Sequence, residues 1–170
     1  MRAYPRHTDG VTAAHAHAST STEHSLAEAL IIKSVSELKG KELLPGSIEI
    51  SPGVRIQPDG LDADRTIFVE AYARQGKLVG AQLKKVAQDV LKFTLLKTAY
   101  PTAEFVLAFA SAEAMDSVRG WLLEAARANG VQMLLTQISD EDVTRLLLAQ
   151  DRMRQGMKQT KADLPLDTEA

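Results

Sequence analysis

The apolar positions of this chain pass between helical and strand periods in a readable order. From Ser25 to about Lys39, Leu26, Ala29, Leu30, Ile32, Val35 and Leu38 recur at helical spacing. Ser25 as cap and Glu28 three residues on open that predicted helix, and Leu44-Pro45-Gly46 stops it. Ser47–Glu49 and Val54–Gln57 read as short strands divided by Ser51-Pro52-Gly53. After Pro58-Asp59-Gly60 and an acidic turn, Thr66–Ala73 reads as a strand ended by Arg74-Gln75-Gly76. Leu78–Lys97 predicts a strong helix with Leu83, Val86, Ala87, Val90 and Thr94 on one side, broken at Tyr100-Pro101. Glu104–Ala110 is an uninterrupted apolar run, the mark of a strand covered on both faces. Ala112–Asn129 predicts a helix ending at Gly130 and Val131–Ile138 a strand. Asp140 to about Met157 closes the pattern as a helix capped by Ser139.

The later β-α-β-α-β-α order demands parallel crossovers, while the short early strands suit an antiparallel meander. An α/β fold follows, with a mixed central sheet flanked by helices on both faces. The expected domain spans residues 25–157. Residues 1–24, rich in Ala, Ser and Thr and holding all four histidines, are expected as a disordered tail, as are residues 158–170. His15 and His17 in the first tail could take up a metal ion adventitiously.

Composition narrows the chemistry more than it names it. The chain has 170 residues and no cysteine, which removes disulfide scaffolds, thiolate metal centres and thiol nucleophiles. No histidine lies between residues 25 and 170, so Ser-His-Asp hydrolysis and imidazole metal sites also fall away in the expected domain. No glycine-rich phosphate loop is present. No apolar run reaches the ~18 residues of a membrane span, and the start has no apolar signal core. The expectation is a cytoplasmic protein without a membrane partner.

What remains is carboxylates and lysines. Asp59 follows a short strand, and Glu70 lies inside the next. Alternation puts Thr66, Phe68, Glu70 and Tyr72 on one side of that strand and Ile67, Val69, Ala71 and Ala73 on the other. A carboxylate in an otherwise apolar strand needs a partner or a purpose. Two adjacent strands can bring Asp59 and Glu70 to one hard cation such as Mg2+, for which two carboxylates suffice when water fills the remaining positions. The structural alternative pairs Glu70 with a helix lysine. Asp62 and Asp64 are expected in a solvated turn, either able to replace Asp59.

The net charge of −2 hides a pattern. Residues 65–97 hold seven basic and two acidic residues, a surplus of +5, between segments 24–64 and 98–157 that each carry −3. On the helix, Gln82, Lys85, Asp89 and Lys92 share a sector expected opposite the apolar face. A basic stripe beside carboxylates suits a phosphate backbone; a solvated face with a Lys85–Asp89 pair is the plainer reading.

Pro58-Asp59, then Glu70-Ala71-Tyr72, within a helix–three strands–helix–strand order, resembles the PD-(D/E)XK nuclease superfamily. The resemblance covers residues 25–110 and implies a restriction-endonuclease-like fold acting on DNA. By it, Asp59 and Glu70 would ligate Mg2+ or Mn2+. The motif lysine, which would orient or deprotonate the attacking water, should stand at position 72, where this chain has Tyr72. A phenol cannot supply an ammonium's charge. In some members that lysine sits on the neighbouring helix, where Lys85 or Lys84 is available and Gln82 resembles a polar helix residue brought to the site. Some members also bring a glutamate from the first helix, for which Glu28 and Glu37 are candidates. The alternative is a degenerate nuclease fold that binds DNA or a protein partner. A homodimer would serve cutting of two strands. Trp121 is expected in the core, and Arg152, Arg154 and Lys158 as a basic helix end.

Overall fold

A computed structural model describes residues 10–162, with side chains described for residues 25–148 and 150–152. Four strands form an open mixed sheet in the order β3-β4-β5-β6: β3 (Gly60–Leu61), β4 (Ile67–Tyr72), β5 (Glu104–Phe109) and β6 (Val131–Leu135). β3 runs antiparallel to β4, while β4, β5 and β6 are parallel. β1 (Ile48–Ser51) and β2 (Val54–Ile56) pair in a separate antiparallel hairpin. The early meander of the sequence reading is thus divided between two sheets.

The helices cover both faces of the four-stranded sheet. Even positions of β4 and odd positions of β5 (Phe68, Tyr72, Phe105, Leu107, Phe109) pack with α2 (Ala81–Ala99), α3 (Ala112–Asp116) and α4 (Trp121–Ala128). The opposite set (Ile67, Val69, Ala71, Val106, Ala108) packs against Ala27, Ile31, Ile32 and Val35 of α1 (Gly10–Lys39) and Leu146 of α5 (Asp140–Ala162). The alternation read in Thr66–Ala73 is the division seen between these layers. β5 is buried along nearly its whole length, as its unbroken apolar run requires. Gly60 lies so close under α1 that a Cβ there would come within 2.8 Å of the Ile32 Cδ1 atom.

Several boundaries differ from the sequence reading. α1 is described from Gly10 rather than Ser25, and α5 runs to Ala162 rather than Met157. Residues 1–9 and 163–170 of the two expected tails, and the side chains of His15, His17, Arg154 and Lys158, lie outside the described residues. Ala112–Asn129 is two helices. The chain leaves α3 at Ser117, buries Val118, and turns at Gly120 with φ 62° before α4 begins. That turn carries Trp121 out of the core, where it is 75% exposed.

Candidate functional site

The β3–β4 turn sets the geometry of the acidic residues. Asp62 is buried and accepts from the Thr66 N–H (2.7 Å), the Ile67 N–H (2.8 Å), the Thr66 hydroxyl (2.7 Å) and the Lys41 ammonium (2.9 Å). Burial works to raise its pKa, but the hydrogen bonds from Thr66, Lys41 and Ile67 outweigh it and hold the carboxyl well below the usual range. Asp62 is therefore a fixed turn acceptor rather than a solvated substitute for Asp59; the exposed Asp64 lies beside Lys41 at 3.9 Å. Arg65, at φ 58°, is steadied by donation to the Tyr100 hydroxyl at 2.9 Å.

With the turn fixed, Gly60 pairs with Val69 and Leu61 with Phe68. Continued by one residue, that antiparallel register sets Asp59 across from Glu70, and directly opposed residues share a face. Asp59 also extends the ladder with its side chain, Oδ2 accepting from the Ala71 N–H at 2.8 Å. Asp59 is half-buried and borders a cleft of about 1140 Å³ between α1 and the 40–47 and 57–59 segments. Glu28 and Glu37, the first-helix carboxylates, line the same cleft.

Behind Asp59, Glu70 is 1% exposed and faces α2. Lys92 donates to its Oε1 at 2.5 Å, and Lys85 lies 3.5 Å from its Oε2. Asp89, also buried, takes Lys85 at 2.8 Å, Lys92 at 2.7 Å and the Tyr72 hydroxyl at 2.5 Å. The Lys85 ammonium further sits 4.9 Å from the centre of the Tyr72 ring, a cation–π contact. The polar sector of α2 is thus turned toward β4 and not away from the core. Val86, Val90, Phe93 and Leu96 define the buried stripe, and Asp89 lies within it. A carboxylate on the sheet draws the helix lysines inward, so the sector lies nearer the sheet than the apolar spacing alone predicts.

Glu70 and Asp89 thus share Lys85 and Lys92, while Asp59 pairs with neither ammonium and acts on Glu70 and Lys85 through its charge alone. Burial first, then the charges of Asp89 and Asp59, push Glu70 up to about 7 against the pull of Lys92. Burial opposes the charge on Lys85, but its bond to Asp89 and the surrounding carboxylates overcome this and raise its pKa. Lys85 is consequently a fixed ammonium and not a proton acceptor. Burial and the Asp89 charge push the Tyr72 phenol far above its ordinary value, leaving it a donor only.

Lys84 and Gln82 are not part of this cluster. The exposed Lys84 lines a different cleft beyond the end of β4, and Gln82 Oε1 accepts from the Val79 N–H at 3.2 Å at the start of α2. Asp89 and Lys92 are the members that sequence reasoning left out of the site; their spacings of four and seven from Lys85 were the available signal. Among the described residues, no three His, Cys, Asp or Glu side chains form a ready cation cage. None of the described helices is long and apolar enough to cross a membrane.

No family model, curated protein or solved structure matches this chain.

Proposed function

We propose that this protein hydrolyses phosphodiester bonds in DNA with Mg2+ or Mn2+, on a restriction-endonuclease-like fold. The observation that supports this is the imbalance at the β4–α2 junction, where Glu70 and Asp89 take up two ammoniums and Asp59, which borders an accessible cleft, adds a third carboxylate whose charge acts on Glu70. A surplus negative charge in a buried setting suits a divalent cation, and Asp59 with Glu70 would hold it. A bound divalent ion polarises a phosphoryl oxygen and lowers the pKa of coordinated water. The chain's own contribution is positional. Asp59 is oriented by the Ala71 N–H, and Glu70 is held by Lys92. Lys85 keeps a permanent positive charge beside Glu70, where it can stabilise charge developing on a phosphate. In this role it takes the place of the lysine absent at position 72.

The test is cleavage of supercoiled, linear and single-stranded DNA with Mg2+ or Mn2+, comparing the wild type with Glu70→Gln and Asp59→Asn. Metal-dependent cutting that disappears in both variants supports the proposal; cutting that survives in both overturns it.

A second reading has its own observation. Tyr72 occupies Asp89, and both lysines are already engaged by carboxylates, as in a structural ion-pair network. A degenerate module that binds DNA or a protein would keep this network intact. It predicts DNA binding without cleavage under every metal condition.

A further inference from the structure

The cleft that receives Lys84 lies where β4 and β5 end, between the 77–80 segment with the start of α2 on one side and the α3–α4 region on the other. Its volume is about 650 Å³. Ligands of open α/β sheets gather at this end of the parallel strands. Trp121, the chain's one tryptophan, stands on its rim, and Val79, 61% exposed, lies on the other wall. A tryptophan this exposed leaves most of its large apolar surface in water, an arrangement that favours a flat partner.

The surrounding charge indicates which partner. Lys77, Lys84 and Arg119 line the same cleft, all exposed, and among the described residues none of them makes an ion pair. Elsewhere on the surface, Lys33, Arg55, Arg127 and Arg145 each have a carboxylate partner. The lining also carries Glu113 and Asp116. These keep its surplus at one positive charge, too little to favour the dense phosphate lattice of a duplex. They also supply acceptors for the exocyclic amino group of a cytosine-like base. An aromatic platform beside cations without ion-pair partners supplies the elements that hold an unstacked base and its flanking phosphates.

We propose that this cleft is a subsite for single-stranded DNA, with a base stacked on Trp121 and phosphates drawn to Lys77, Lys84 and Arg119. It deepens, and rests on, the reading of DNA as the partner. It implies that the protein engages frayed, flapped or single-stranded regions rather than continuous duplex.

The fluorescence of Trp121 reports the contact directly. The full chain, with EDTA present so that no cutting occurs, is titrated with a short oligodeoxycytidylate at low salt. Saturable quenching is expected, with a log–log salt slope of roughly −2 from three phosphate contacts. Lys84→Ala and Arg119→Ala should each reduce that slope by about 0.7. Trp121→Ala, followed by anisotropy of a labelled oligonucleotide and checked for folding by circular dichroism, should bind about 5- to 100-fold more weakly. A duplex of equal length should bind less tightly than the single strand.

Fluorescence unmoved by the oligonucleotide overturns the proposal. So does unchanged affinity in Trp121→Ala, or tighter binding of the duplex. Failure here combined with metal-dependent cutting that needs Glu70 removes this subsite alone. Quenching without any cleavage removes the nuclease reading alone.

Discussion

The Tyr72 hydroxyl donates to Oδ2 of Asp89 at 2.5 Å, joining β4 to α2 at the position where the resemblance called for a lysine. Because that phenol stays protonated, its contribution is a hydrogen bond to a buried carboxylate. Tyr72→Phe should lower stability by about 1.5 kcal/mol, the lower end for a bond to a charged group, since Lys85 and Lys92 still hold Asp89. Urea denaturation measures this. Metal-dependent cleavage should change by less than about threefold, because no step is assigned to the phenol.

Glu70 makes stability depend on pH in an unusual direction. Its pKa rises from 4.5 in the unfolded chain to about 7 in the folded one, chiefly through burial and the charges of Asp89 and Asp59. Between those values the folded protein holds a proton that the unfolded chain has released. The resulting stabilisation is complete below 4.5 and is lost as pH rises through about 7. Asp62 acts oppositely: its depressed pKa gives stability that disappears only under stronger acid, below its ordinary value of 3.8. The urea midpoint should therefore be higher at pH 5 than at pH 8, by about 1–3 kcal/mol in free energy. Glu70→Gln should flatten that difference, and an equally steep profile in the variant would refute the assignment.

On the proposed function, a divalent ion would compete with the same proton. Mg2+ should raise the melting temperature by about 3–6 °C at pH 8, for a concentration some tenfold above Kd. The shift should be much smaller at pH 6, where Glu70 is largely protonated. Asp59→Asn is the informative control, since its side-chain oxygen can still accept from the Ala71 N–H while the charge is gone. Calorimetry should show that variant folded and unresponsive to Mg2+.

Lys92 holds two buried carboxylates, whereas Lys85 is the ammonium assigned to the phosphate. Lys92→Met should cost about 2–4 kcal/mol, somewhat below a fully buried broken pair because its side chain is 33% exposed. Lys85→Met should instead lower kcat by at least about a hundredfold, measured at matched folded fraction. A reversal of these two effects would exchange their roles.

Gly60→Ala tests the seat of β3 under α1. The new methyl meets Ile32 at 2.8 Å, so that side chain must shift, at an expected cost of about 1–2 kcal/mol in thermal or urea unfolding.

The layers were legible because burial writes itself into apolar spacing. The Thr66–Ala73 alternation assigns the faces, and the unbroken Glu104–Ala110 run the cover on both sides, that the structure has. The orientation of α2 was less accessible. A wheel built on Leu83, Val86, Ala87 and Val90 ignores that Glu70 can draw Lys85, Asp89 and Lys92 toward the sheet. Trp121 departs from its expected core position for a related reason: its neighbours are apolar, but Gly120 redirects the chain just before it. The burial of Asp62 depends on Thr66, Ile67 and Lys41 meeting it in space, which no local period records.

The turn closed by Asp62 also determines which changes in chain length the carboxylate pair can survive. Asp59 and Glu70 oppose each other through the rungs Gly60–Val69 and Leu61–Phe68, not through the number of residues between them. Lengthening the loop at 63–65 leaves those rungs where they are, at a loop-closure cost that grows only slowly with length. One residue inserted between Asp59 and Gly60 instead moves the carboxylate to the other face. In length variants of this chain, the gap between the two acids should therefore be elastic, and the register that opposes them the quantity under constraint.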